Sequence, residues 1–307
     1  MTADPRGLAR WWVYQRERFP LVAHGILILA FSLCAVCFSA LRRGAAGFPA
    51  WPVIVVAFVS SLISFLHLRL ADEFKDYEED ARYRPYRPVP RGLVSLRELG
   101  MVWAGTGVLQ LLLALRLDVR LAPILLGTWI YLALMSREFF CKTWLKAHPF
   151  TYMWSHMFIM PLIDFYATAC DWMTATGRPP AGLFWFVLVS FLNGFVIEIG
   201  RKIRAPEDEE TGVETYSVLW GRGGAVGAWV LAMTLTATAA LVAAGRIAFA
   251  VPVGIVLGIL LAVAVGIGVF FLRFPRHGKR FETFSGLWTL ALYLMLGAVP
   301  MLVRILA

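Results

Sequence analysis

Apolar residues in this chain arrive in long unbroken runs, with neither the period of an amphipathic helix nor the alternation of a half-buried strand. Most runs last roughly 18 to 25 residues, the length a helix needs to cross about 30 Å of hydrocarbon. They predict about nine transmembrane helices: Leu21–Leu41, Trp51–Leu70, Leu99–Leu115, Leu121–Met135, Pro149–Cys170, Gly182–Ile197, Gly224–Ala244, Ala248–Leu272 and Thr283–Val303. The fourth is the shortest. An open sheet edge is not tolerated in lipid, and the ten-residue alternating strands of a barrel are missing, so the fold class expected is an all-α polytopic bundle. One domain, residues 1–307, holds everything, with no disordered linker or low-complexity tail.

Composition agrees: 59% of residues are apolar or aromatic and 16% are charged, against about 25% charged in soluble domains. The charges also fall unevenly. With nine spans, 22 Lys and Arg lie on the side of the N-terminus, including Arg6, Arg10, Arg16 and Arg18, and seven lie opposite. This asymmetry places the N-terminus in the cytoplasm and the C-terminus outside, in a cytoplasmic (inner) membrane. It also accounts for the net charge of +9 without a nucleic-acid partner. Cys34 and Cys37 sit in an apolar run with no His nearby and read as buried thiols.

Two long, charged loops, Ala71–Glu98 and Glu198–Arg222, follow the second and sixth spans, four helices apart. That spacing suits a tandem four-helix repeat plus one helix, with a site shared between corresponding loops. The first begins Asp72-Glu73-Phe74-Lys75-Asp76-Tyr77-Glu78-Glu79-Asp80. If the second helix continues through it, Glu73, Asp76 and Asp80 share one stripe. Two carboxylates about 6 Å apart repel by roughly 3 kcal/mol at an effective dielectric near 20. A divalent cation converts that repulsion into attraction, and Mg²⁺ suits one or two carboxylates plus substrate phosphates. The bland alternative is a solvated helix whose acids pair with Lys75, Arg82 and Arg84. The next residues favour the metal: Arg84, Arg87 and Arg91 lie in a Pro-stiffened turn, where guanidinium groups suit phosphate oxygens.

Asp72-Glu73-x-x-Asp76-x-x-x-Asp80, followed by Arg87-Pro88-x-Pro90-x-Gly92, resembles the first signature of the UbiA superfamily of intramembrane prenyltransferases. Asp72 stands where that family usually has Asn, and Glu73 where it has Asp; both swaps keep oxygen ligands. The resemblance implies a Mg²⁺-dependent enzyme that ionises an isoprenoid diphosphate and transfers the chain to a lipid or aromatic acceptor within the membrane. Asp76 and Asp80 are then the leading metal ligands and Arg87 a diphosphate contact.

The second loop departs from the family. Its leading Glu198-Ile199 and trailing Gly212-x-x-Thr215 fit, but Lys202, Arg204 and Ala205 stand where the first Asp residues of the second signature belong. Glu207 and Asp208 remain as late metal ligands. Arg201, Lys202 and Arg204 are expected to contact the donor's phosphates as fixed cations. After the fourth span, Arg137 and Lys142 are further diphosphate candidates. Asp164, within the fifth span, needs a partner or a cavity and is a candidate for orienting the acceptor; His156 reads as a packing residue. The aromatics Phe184, Trp185, Phe186, Phe191 and Phe195 suit an isoprenoid tail. The competing functions are a terpene cyclase, an enzyme using another diphosphate donor such as phosphoribosyl diphosphate with polyprenyl phosphate, and a transporter. The scarcity of ionisable residues inside the spans disfavours the transporter.

Overall fold

The computed structural model describes residues 7–210 and 212–307; Arg6, read above, lies outside them. All regular structure among the described residues is helical. The first half comprises α1 (Ala9–Arg18), α2 (Leu21–Arg42), α3 (Trp51–Lys75), α4 (Tyr77–Tyr83), α5 (Leu96–Leu117) and α6 (Leu121–Ser136). The middle holds α7 (Lys142–Ala147), α8 (Pro149–Met157), α9 (Ile159–Ala175) and α10 (Leu183–Arg201). Last come α11 (Tyr216–Leu219), α12 (Gly221–Gly245), α13 (Ala250–Arg273), α14 (Lys279–Leu296) and α15 (Ala298–Leu306).

Among the described residues seven helical segments are long and apolar enough to cross a membrane: α2, α3, α5, α10, α12, α13 and the α14–α15 pair. Two shorter apolar segments occupy the places of the expected fourth and fifth spans. The first is α6, of 16 residues. The second is α8 with α9, interrupted at Phe158. The chain is therefore an integral membrane protein built as a helical bundle. α2 and α9 pack together at its centre, flanked by α3, α5 and α6 on one side and by α10, α12, α13 and α14 on the other. Cys34 and Cys37 are fully buried free thiols.

Local sequence sets the boundaries that matter. The Ser95 hydroxyl accepts the Glu98 N–H and the Glu98 carboxylate accepts the Ser95 N–H, a reciprocal cap that starts α5 at Leu96, before the expected Leu99. At the other end of the preceding loop, α3 runs past Leu70 to Lys75, then breaks at Asp76 (φ −99°, ψ 8°) before α4 begins. The two ends of the bundle are chemically distinct. Arg43–Asp171 and Arg120–Asp118 mark one end; the other gathers α1 and the loops after α3, α6 and α10 through ion pairs between elements.

Close backbone approach holds the centre together, as expected where lipid supplies no hydrophobic drive between helices. Gly297 separates α14 from α15 and lies against α2; a Cβ there would stand 2.4 Å from the Cys34 Cα. Gly297→Ala is therefore expected to destabilise the detergent-solubilised protein by about 1–3 kcal/mol through overpacking. Gly286→Ala, whose new Cβ meets nothing within 4 Å, should leave thermal unfolding unchanged or raise it.

Candidate active site

The break at Asp76 corrects the continuous stripe expected from the sequence, yet the backbone ladder survives it. Asp76 N–H donates to the Asp72 carbonyl at 2.9 Å, Asp80 N–H to Asp76 at 2.8 Å and Arg84 N–H to Asp80 at 2.8 Å. Asp72, Asp76 and Asp80 thus follow one another along the mouth of the bundle. Three of the four motif carboxylates carry an ion pair. Glu73, buried, meets Arg18 of α1. Asp72 meets Arg69 at 3.5 Å. Asp80, 3% exposed, receives Arg87 at 2.5 Å and Arg84 at 3.1 Å. Among the described residues Asp76 carries no ion pair. Its carboxyl is pushed above the ordinary range by burial and by the negative charges of Asp72, Asp80 and Glu79, against the pull of Lys75.

The second loop forms the facing wall. Glu198, 5% exposed, lies 2.5 Å from Arg201 and 2.9 Å from Lys202. Lys202 also stands over the Tyr216 ring at 5.3 Å. The charge of Asp72 acts on Arg201 across the mouth. Glu210 ties the loops together: it lies 3.8 Å from Arg84 and 3.3 Å from Arg204, and accepts the Tyr86 hydroxyl at 3.3 Å. Arg204 thus braces Glu210 within the second loop, while Arg201 and Lys202 stay with Glu198. Glu209 accepts the Thr215 hydroxyl at 2.7 Å. Glu207 and Asp208 border a separate cleft of about 600 Å³, with His277, Lys279 and Arg280.

Behind the stripe lies a network that the sequence did not reveal. Glu138 is buried; its Oε1 accepts the Lys75 ammonium at 2.6 Å, and His156 Nε2 lies 3.3 Å from Oε2. Tyr152 accepts Lys75 at 2.6 Å and donates to Glu138 at 3.3 Å, and its ring stacks on His156 with centroids 4.0 Å apart. The backbone here is strained, because Glu138, Phe139 and Phe140 have φ of 51°, 51° and 59°. A left-handed conformation costs a non-glycine residue about 1–2 kcal/mol. Burial raises the Glu138 carboxyl, but the Lys75 ammonium bonded to it and the approach of His156 outweigh that and bring it down to about 2.

The remaining candidates lie as follows. Arg137 and Lys142 are exposed on either side of Glu138. Arg91 grips Glu17 through both nitrogens, at 2.8 and 3.0 Å, which engages it with α1. Asp164 is fully buried and accepts the Tyr293 hydroxyl at 3.3 Å, so its partner is a phenol on α14. His156 belongs to the Glu138 network. Phe186 is buried and stacks on Phe38 at 4.5 Å, Phe191 meets Phe195 at 4.9 Å, and Phe184 faces outward.

An acid stripe and a cluster of cations thus meet at one end of an apolar bundle. The model of the UbiA prenyltransferase family matches residues 33–296. The chain belongs to the UbiA prenyltransferase family and is an enzyme of that class. Solved structures share the fold. The apo structure of a UbiA homolog from Aeropyrum pernix K1 is 13% identical, with a TM-score of 0.67 over 91% of this chain and 97% of that one. A structure of a digeranylgeranylglyceryl phosphate synthase is 15% identical, with a TM-score of 0.61 over 97% and 100%. A UbiA homolog from Archaeoglobus fulgidus, solved bound to DMAPP and Mg²⁺, is 12% identical, with a TM-score of 0.55 over 92% and 98%. No curated protein matches the chain in sequence.

The Glu138 network generates a pH dependence. Its folded-state carboxyl titrates near 2, against 4.5 for the ordinary group. The stabilisation is therefore fully present above about pH 4.5 and lost as pH falls toward 2. Thermal unfolding of Glu138→Gln should differ most from wild type near pH 7, and the gap should close below pH 4.5.

Proposed function

We propose that the protein transfers an isoprenoid chain from a prenyl diphosphate to a membrane-associated acceptor, with Mg²⁺ as cofactor and its acidic loops in the cytoplasm. The observation that carries this reading is Asp76: a half-buried carboxylate with no ion pair among the described residues, crowded by like charge, in a stripe whose Asp72 acts on Arg201.

The donor set fits Mg²⁺. Among the described residues no group of three or more His, Cys, Asp or Glu could cage a metal. The motif instead offers carboxylates singly or in pairs, and Mg²⁺ is an ion that takes one or two carboxylates and completes its shell with phosphate oxygens. Asp76, with Asp72 or Asp80, would hold it. Bound there, Mg²⁺ supplies neutralising charge to the departing diphosphate.

The chain's own residues supply the rest. Lys202, which stands where the family places a carboxylate, and its neighbour Arg201 are fixed cations that take leaving-group charge. Glu198 orients both. Asp80 fixes Arg84 and Arg87 beside the stripe, the position from which a guanidinium takes phosphate oxygens in a forked pair. The C–O bond to diphosphate breaks and leaves an allylic cation in the bundle. Phe191 and Phe195 are placed on α10 to line the tail's path, their ring faces favouring positive charge. The acceptor's nucleophilic atom then bonds to the allylic carbon and gives up its proton, while diphosphate leaves into the cytoplasm.

Turnover in membranes supplied with a prenyl diphosphate is expected to require Mg²⁺. Asp76→Asn and Asp80→Asn should each lower it at least about 10²-fold, roughly 3 kcal/mol of lost charge stabilisation. Lys202→Ala should weaken donor binding as well as turnover. Near wild-type turnover in a folded Asp76→Asn variant would contradict the reading.

A further inference from the structure

Lys75 is the one cation within the acidic stretch Asp72–Asp80, and it is the immediate neighbour of Asp76. Left free, its ammonium is the natural counter-ion for the carboxylates on either side of it. The structure holds it elsewhere. Lys75 Nζ lies 2.6 Å from Glu138 Oε1 and 2.6 Å from the Tyr152 hydroxyl, and 5.1 Å from the Tyr152 ring centroid. Glu138 is in turn backed by His156 and fixed on three successive left-handed residues. Asp72, Glu73 and Asp80 have arginine partners, and Asp76, next to the restrained lysine, has no ion pair among the described residues.

We propose that Glu138 is a positioning residue for the divalent cation: by capturing Lys75 it keeps an internal ammonium off Asp76 and leaves that carboxylate open to the metal. The proposal rests on the reading of Asp76 as a metal ligand. The charge-dependent stabilisation that the pair adds above about pH 4.5 does not by itself account for its presence, because desolvation offsets the attraction in a buried ion pair. Strained backbone persists where the surrounding structure over-determines it, and it clusters at active sites. Both features are explained if the network's task is to decide where the Lys75 charge sits.

The test is binding of Mn²⁺ alone to the purified full-length protein, followed by electron paramagnetic resonance without turnover. Wild type should bind Mn²⁺ saturably and Asp76→Asn should lose it. Glu138→Gln releases Lys75 toward Asp76 and should weaken binding at least about tenfold, a factor set by one unit charge close to the ion. Lys75→Met combined with Glu138→Gln removes the competing ammonium and should return affinity to within about threefold of wild type. If Glu138→Gln does not fold, Glu138→Asp, which shortens the reach to Lys75, carries the same expectation and the same rescue by Lys75→Met. A merely structural role predicts no rescue. Unchanged affinity in a folded single variant, or an equal loss in the double variant, overturns the proposal. Absent Mn²⁺ binding in wild type, or binding kept in Asp76→Asn, instead sinks the metal reading on which it rests.

Discussion

Everything at the charged end of this protein follows from the repulsion among carboxylates crowded at the mouth of an apolar bundle. Asp72, Glu73, Asp76 and Asp80 occupy about two turns of chain, where like charges a few ångströms apart cost kilocalories per mole. The chain answers with a separate cation for each of three: Arg69 for Asp72, Arg18 for Glu73, and Arg84 with Arg87 for Asp80. The fourth carboxylate has a neighbouring lysine that is held away from it. What is left is a localised deficit of positive charge, and a deficit of that kind is what a divalent cation with a diphosphate can fill.

The surrounding fold keeps that arrangement in place. α1 docks on the mouth through ion pairs from Arg10, Arg18 and Glu17 to Glu98, Glu73 and Arg91. Glu210 links the two charged loops through Arg84, Tyr86 and Arg204. The turn between α13 and α14 presses on the same loop, since a Cβ at Gly278 would lie 2.8 Å from the Ala205 nitrogen. Deeper in the bundle, the contact of Gly297 with Cys34 sets how closely α14 and α15 approach α2. The site's two walls therefore belong to helices whose spacing is fixed inside the membrane.

Much of this was legible in the sequence. Long apolar runs identify the bundle, and the first charged loop, with its arginine-rich Pro turn, carries the resemblance to the family to which the chain belongs. The Ser-x-x-Glu spacing at Ser95 and Glu98 is a helix-start signal that the span beginning at Leu99 passes over. Other features leave no local trace. No glycine or proline marks the break at Asp76. The turn at Glu138-Phe139-Phe140 adopts left-handed geometry in residues that rarely take it, so nothing in composition signals it. In the sequence Glu138 reads only as one of the polar residues with Arg137 and Lys142 after the fourth span, because its partners come from distant stretches, Lys75 and His156. Asp164 was legible as a residue needing a partner, but only the packed structure names Tyr293. Glu207 and Asp208 look like metal ligands by type, and the fold turns them toward another cleft.

The central claim is that the donor's diphosphate sits between the Asp76 stripe and the Arg201–Lys202 wall. A structure of the protein with Mg²⁺ and a prenyl thiolodiphosphate, in which sulfur replaces the scissile oxygen and slows ionisation, tests it most directly. The account predicts density for the diphosphate bridging Asp76 and its metal on one side to Lys202 and Arg201 on the other, with Lys75 still on Glu138. Diphosphate density in the cleft beside Lys279 and Arg280, with the Asp76 stripe empty, would contradict it.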